Sequence, residues 1–500
     1  MTERTCILAL DQGTTSSRAI LFDQLAVPLA SAQQEFPQHY PRQGWVEHDP
    51  DDIWHSALSV VRRMLDWARE NNYRVLSIGI TNQRETTLIW ERDTGKSIHN
   101  AIVWQDRRTA PECSRLRTEG LEPEIRSRSG LLLDPYFSAT KAAWILNQVE
   151  GARARAEQGE LLFGTVDSFL IWKLTGGKQH LTDATNASRT NLYNIRAGEW
   201  DETLLDAFRI PATTLPRVMN CADHFGDTDP SILGQRIPIL GVAGDQQAAS
   251  IGQCCFSPGD IKSTYGTGCF VLLNTGSAPV DSSQRLLTTV ASQLDGHVSY
   301  ALEGSIFVAG AAVQWLRDSL GIIQQARETE TLARSLNSNN GVYLVPAFTG
   351  LGVPYWEPDA RGALFGLTRA SGRAEIARAT LESVAYQTAD LFAAMSADGI
   401  SPKTLRVDGG MVANSWLLQF LADVLDTQVL KPRVEETTAL GAAYLAGRQA
   451  GFYGDQREFT ELWQCEEIYH PNMDAIHRTK LLAGWHDAVS RVTRAPAAGA

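Results

Sequence analysis

The chain has 500 residues, with 45 Lys and Arg against 57 Asp and Glu for a formal net charge of −12. That length predicts two domains rather than one core. A hydrophobic content of 43% with 20% charged residues is that of a globular chain, not a disordered one. The acidic balance, with no basic block to offset it, argues against nucleic acid as a partner, and no apolar stretch reaches transmembrane length, so membrane insertion is not expected. Seven scattered cysteines without CxxC pairs or a signal-peptide pattern predict reduced thiols and a cytoplasmic location. The adjacent Cys254 and Cys255 are read as small buried side chains, and residues 495–500 as a frayed tail.

The first informative stretch is 5–23, TCILALDQGTTSSRAILFD. Two apolar runs flank a polar bend at Gly13, which predicts a β-hairpin. The bend carries hydroxyls on Thr14, Thr15, Ser16 and Ser17, the guanidinium of Arg18 and the carboxylate of Asp11. N–H and O–H donors suit phosphate oxygens, and Asp11 suits a hydrated Mg²⁺. A plain polar turn is the competing reading. Helical periodicity follows the Asp-Pro-Asp-Asp start at 49–52 and runs over 53–68. Strands are expected at 75–80 and 86–90, with Asn82-Gln83-Arg84-Glu85 between them. Arg84 and Glu85 are either a solvated loop or a donor–acceptor pair for a small polyhydroxylated ligand. A strand over 101–106 brings Trp104, either core packing or an apolar wall, and a helix is expected over 139–149.

The apolar run 237–244 ends at Asp245-Gln246-Gln247. Ligands of parallel α/β sheets bind beyond strand carboxyl ends, so Asp245 is a candidate general base and Gln246 a hydroxyl-orienting neighbour. Capping of a helix that begins at Gln246 is the alternative. Residues 261–274, IKSTYGTGCFVLLN, then repeat the hairpin design around Gly266-Thr267. Two phosphate-type hairpins half a chain apart suggest a duplicated domain that grips a nucleotide from two sides. The boundary is placed near residue 250, giving domains 1–250 and 251–500. Helices are expected over 307–320, where Gly310 thins a face, and over 373–395 and 415–425. A strand over 405–407 leads into Gly409-Gly410, where backbone can approach a flat ligand. Asn414 either caps the helix from Ser415 or touches adenine.

The segments LALDQGTTSSRAILFD, GWVEHDP, GITNQRETTLIW, AIVWQDRRT, GVAGDQQAA, TYGTGCFVLLNTG, PAFTGLGVPYWEPDARG and VDGGMVANSWLLQF run in one order along the chain. In them the chain resembles the FGGY carbohydrate kinases over essentially its whole length. GWVEHDP and NQRETT favour members that act on glycerol over those that act on pentuloses or gluconate. The resemblance implies an α/β fold of two actin-like ATPase (ribonuclease H-like) domains with the active-site cleft between them. It implies ATP-dependent phosphorylation of glycerol to sn-glycerol 3-phosphate with Mg²⁺, by a homo-oligomer (dimer or tetramer). Carried over by position, Arg84, Glu85, Trp104, Tyr136, Asp245, Gln246 and Phe270 would surround glycerol. Thr14, Thr15, Ser16, Arg18, Thr267, Gly310, Gln314, Gly410 and Asn414 would contact the nucleotide. Asp11 and Asp245 would sit at the metal, with Asp245 as the base. The alternatives are a related kinase for another small polyol or ketopentose, and a non-catalytic actin-like ATP switch.

Overall fold

The computed structural model describes residues 4–357 and 359–493. The expected hairpin opens it: β1 (Arg4–Gln12) and β2 (Ser16–Phe22) are antiparallel, with Asp11 opposite Arg18. β3 (Pro28–Glu35) pairs with β2, and α1 (Pro50–Glu70) leads into β4 (Tyr73–Asn82), which returns parallel to β1. β5 (Ile239–Gly244) adds parallel to β4, for a sheet in the order β5-β4-β1-β2-β3. Helix α2 (Asp245–Gly252) follows at once.

The second hairpin is built alike from β6 (Ile261–Tyr265) and β7 (Cys269–Gly276). β8 (Leu287–Leu294) and β9 (His297–Ile306) extend that side, and α3 (Gly310–Asp318) and α4 (Arg373–Ala397) follow. β10 (Leu405–Asp408) is parallel to β6; after α5 (Ser415–Leu425), β11 (Val429–Pro432) is parallel to β10. α6 (Thr437–Gln449) and the edge strand β12 (Cys465–Tyr469) come next. The sheet runs β8-β9-β7-β6-β10-β11-β12. Its inner strands, β9-β7-β6-β10-β11, repeat the pattern β3-β2-β1-β4-β5 of the first sheet. The duplication suggested by two short hairpins therefore extends through whole sheets.

Both faces of the first sheet are apolar because both are covered. Leu8, Leu10, Leu21, Ile78 and Ile80 pack under Ile53, Ala57, Val60 and Val61 of α1. The alternate residues Ile7, Ala9, Ile20 and Phe22 pack under Ala439, Ala442, Ala443 and Ala446 of α6. Asp49 caps α1 by accepting from the Asp51 N–H, with Pro50 in the first turn. α6 belongs to the second half yet lies on the first sheet, closely enough to need glycine beneath it. A Cβ on Gly79 would stand 2.1 Å from the Ala442 carbonyl oxygen, and one on Gly241 2.4 Å from the Ala446 nitrogen.

Several boundaries differ from expectation. The strand expected over 101–106 is only Ala101–Ile102, because the chain turns where the Asp106 carboxylate accepts from the Val46 and Arg108 N–H groups. The helix expected from 307 starts at Gly310. The seven cysteines are free thiols, and Cys254 and Cys255 are buried as expected. Among the described residues no helix is long and apolar enough to cross a membrane. The tail over 495–500 lies outside the described residues.

Candidate active site

Three parallel strands of the first sheet end side by side. Gln12 of β1 and Gly244 of β5 both register with Asn82 of β4, which gathers Asp11, Arg84, Glu85 and Asp245 at the carboxyl edge. Ligands of α/β sheets bind at this edge. Gly244 makes room for the arginine stem: a Cβ there would stand 2.7 Å from Arg84 Cγ.

Arg84 is 2% exposed, so the solvated-loop reading fails. It donates to both Glu303 carboxylate oxygens at 2.6 and 3.0 Å and to the Tyr136 hydroxyl at 3.0 Å. Its Nε lies 3.3 Å from Asp245 Oδ1 and 3.6 Å from Glu85 Oε1. Glu85 Oε1 also accepts from Arg189 Nε at 2.8 Å, and Arg189 Nη2 reaches Glu303 at 2.9 Å. Arg189 and Glu303 are buried partners that the sequence reading did not single out. Burial opposes the charge on Glu303, but Arg189 and Arg84 hold its carboxyl down at about 2. Burial raises the Asp245 carboxyl, with Arg84 opposing and Glu85 adding to the rise. A raised carboxylate is the more effective base near neutral pH.

Asp245 does not cap its helix; Gly244 occupies the N-cap position and Asp245 is the first helical residue. The N-cap bond of the capping alternative is not made, although Asp245 Oδ1 accepts from the next N–H, that of Gln246, at 2.7 Å. Gln246 Oε1 is held by the buried Lys262 ammonium at 2.5 Å. Trp104 makes edge-on contacts with Tyr136 (centroids 5.7 Å apart) and Phe270 (6.0 Å), a wall with one ring from the second sheet. Its indole N–H donates to Thr14 Oγ1 at 2.9 Å, which ties the aromatic wall to the first hairpin bend.

The nucleotide-side residues are disposed unevenly. Thr15 is exposed; Ser16 Oγ accepts from Gln33 Nε2 at 2.9 Å, and Arg18 is engaged by Gln33 and Glu436. On the second hairpin Thr267 is exposed, and its loop is braced by the start of α3. The Gly310 N–H donates to the Gly266 carbonyl at 2.9 Å, and the Ala309 and Ala311 N–H groups to the Thr267 carbonyl at 3.0 Å each. Gly310 thus sits at the helix start and not within it; a Cβ there would stand 2.6 Å from the Gly266 oxygen. Gln314 is exposed on α3. Of the glycine pair, Gly409 meets the hairpin, with φ +92° and a Cβ that would come 2.6 Å from the Tyr265 oxygen, whereas Gly410 faces open space. Asn414 takes its capping alternative: Oδ1 accepts from the Leu417 N–H at 3.0 Å.

Asp11 and Asp245 are the site's candidates for a cation. Burial and the charge of Asp245 raise the Asp11 carboxyl to about 7, with Arg18 opposing. Among the described residues no group of three or more His, Cys, Asp or Glu forms a metal cluster. Two oxygen donors that repel one another fit Mg²⁺, which takes one or two carboxylates and completes its shell with phosphates and water.

Known proteins match this chain along nearly its whole length. The chain matches the N-terminal domain of the FGGY family of carbohydrate kinases over residues 6–252 and its C-terminal domain over 261–450. It is 66% identical to a glycerol kinase of Rhodospirillum centenum, over 98% of this chain and 99% of that one. It is 59% identical to glycerol kinase 1 of Pseudomonas aeruginosa, over 97% and 98%. The crystal structure of Plasmodium falciparum glycerol kinase with ADP superimposes with a TM-score of 0.94 at 34% identity, covering 99% of each chain. A xylulose kinase of Lactobacillus acidophilus shares the fold, with a TM-score of 0.89 at 21% identity over 98% and 99% of the two chains. The paired sheets, the two hairpins and these matches place the chain in the FGGY family of carbohydrate kinases.

Proposed function

We propose that this chain transfers the terminal phosphoryl group of ATP to glycerol, giving ADP and sn-glycerol 3-phosphate. The observation that carries the reading is the convergence of Arg84, Glu85 and Asp245 on one strand edge beside the Trp104–Tyr136–Phe270 wall. Relatives named as glycerol kinases at 59–66% identity over nearly the whole chain support it.

Phosphoryl transfer asks the protein mainly for positioning and charge neutralisation. The rings cover the carbon chain of glycerol. Glu85 offers the oxygen not used by Arg189. Arg84 keeps two donors on Glu303 and offers the donors now on Tyr136 and Asp245 to the substrate hydroxyls. Asp245 accepts the proton of the attacking hydroxyl, a role worth about 10²–10⁴ in rate. The hydroxyls and N–H groups of the two hairpin bends, with Thr14 and Thr267 at their tips, hold the phosphates. Mg²⁺ held by Asp11 and Asp245 would neutralise phosphate charge when bound. Closure of the cleft keeps water from competing with glycerol.

We further propose a division into residues 1–250 and 251–500, with α6 of the second part docked on the first sheet, a cytoplasmic location and a homo-oligomeric assembly. The other assigned contacts, to Ser16, Thr15, Arg18, Gln246, Gln314, Gly410 and Asn414, are proposals of the same standing. The test is ADP release by the full chain with Mg²⁺ and ATP, with and without glycerol, and stereochemical identification of the product. Release that glycerol does not stimulate refutes the reading.

A further inference from the structure

Glu303 lies within β9 of the second sheet and is 0% exposed. Strand register puts Glu303 and Lys262 opposite the same residue, Leu272 of β7. Thr264 and Ser305 likewise both face Phe270, one row nearer the β6–β7 loop. Residues two apart on a strand share a face, so Lys262, Phe270 and Glu303 project from one side of the second sheet. Each meets an acceptor-site residue of the first half. Lys262 donates to Gln246 at 2.5 Å, Phe270 packs on Trp104 with centroids 6.0 Å apart, and Glu303 accepts from Arg84 at 2.6 and 3.0 Å and from Arg189 at 2.9 Å. The same sheet carries Thr267 in the loop between β6 and β7.

We propose that Glu303 is a positioning residue for the acceptor: by clamping Arg84 and Arg189 from the second sheet, it sets the hydroxyl-binding groups in register with the loop that holds the ATP phosphates. The two ends of the transfer are then indexed to one sheet, and not only to two lobes that approach each other. The Arg84 guanidinium is a rigid planar fork with three carboxylates around it, Glu303, Glu85 and Asp245, so a fixed bidentate partner decides which of its donors face glycerol. Among the described residues the side-chain hydrogen bonds of Glu303 go to Arg84 and Arg189 and not to the Gly266-Thr267 loop, so the KM for ATP should not depend on it. The inference rests on the glycerol reading above.

The experiment compares the unmodified chain with Glu303→Asp and Glu303→Gln in steady-state assays, with glycerol and ATP varied separately and thermal midpoints measured alongside. Glu303→Asp keeps the charge in the buried cluster but withdraws it by one methylene, and Glu303→Gln keeps the length without the charge. The expected result is a KM for glycerol raised at least about tenfold in both variants, with the KM for ATP within about twofold. An unchanged KM for glycerol in either folded variant overturns the proposal. So does an equal rise in both KM values that tracks a fall in thermal midpoint, or failure of both variants to fold, since each marks Glu303 as a structural ion-pair partner only. Absence of glycerol turnover in the unmodified chain refutes the proposed function instead.

Discussion

Asp245→Asn removes the proposed base while changing little else. The Asp245 side chain is 31% exposed and lies 3.3 Å from Arg84 Nε. Arg84 is itself buried, and burial raises the Asp245 carboxyl, so the charge removed is not a stabilising one. Arg84 keeps its bidentate bond to Glu303, so the cluster stays paired. Asn also keeps an oxygen that can accept from the Gln246 N–H, now at 2.7 Å. The fold should therefore survive, with a midpoint shift of a few degrees. The chemical step should not. Loss of a general base corresponds to a fall of about 10²–10⁴ in kcat, or about 3–5 kcal/mol of barrier. The assay is ADP release at saturating glycerol and ATP, with ATP affinity measured separately by equilibrium binding. A kcat within tenfold of the unmodified chain would remove Asp245 from the proton transfer. A loss of ATP affinity that accounts for the whole defect would reassign Asp245 to the nucleotide and its cation.

Arg84→Ala should raise the KM for glycerol at least about tenfold. Because it strips one of two arginines from the buried Glu303, it should also cost about 3–5 kcal/mol in chemical denaturation; an unchanged KM would put Arg84 outside the site. Gly310→Ala drives a Cβ toward the Gly266 carbonyl oxygen, 2.6 Å away. The brace under the second hairpin must shift, so the KM for ATP should rise with little change for glycerol, and the reverse pattern would refute the assignment. Asp11 gives a pH test. Its folded carboxyl lies near 7, above the ordinary value of 3.8, so the native state holds a proton that the unfolded chain has released between those values. Metal-free stability from this group is therefore greatest below about 3.8 and declines as pH rises to about 7. Asp11→Asn should be more stable than the unmodified chain at pH 8 without Mg²⁺, and the gap should close toward pH 4; a gap independent of pH would contradict the assignment.

The hairpins, α1, the long helix α4 and the strand edges were legible because each is a local pattern: an apolar run, a bend residue, a cap. Arg84, Glu85 and Asp245 were legible as charges at the ends of apolar strands. What joins them was not. Arg189 follows a short helix in a hydroxyl-rich stretch, and Glu303 is one carboxylate in an otherwise ordinary strand. Their significance comes from a pairing 219 residues apart for Arg84–Glu303, which only the register of two sheets creates. A charged residue inside a strand of small and apolar residues was the available signal, and ALEGSIF carries it. The misplaced start of α3 has a similar origin. Residues 307–309 have the apolar character of a helix, but the N–H groups at the helix start are drawn to the carbonyls of the Gly266-Thr267 loop. The over-long strand at Trp104 was ended by a side chain, Asp106, that captures the backbone of Val46.

The central claim is that the Arg84–Glu85 pair and the three-ring wall select a three-carbon acceptor. Its most direct test is kcat/KM for glycerol, erythritol, xylulose, ribulose and gluconate, measured by ADP release from the same preparation at fixed Mg²⁺ and ATP. The account predicts glycerol ahead of every longer acceptor by at least about 100-fold, roughly 2.7 kcal/mol of transition-state discrimination. Equal or better turnover of a five-carbon ketose or of gluconate would contradict it.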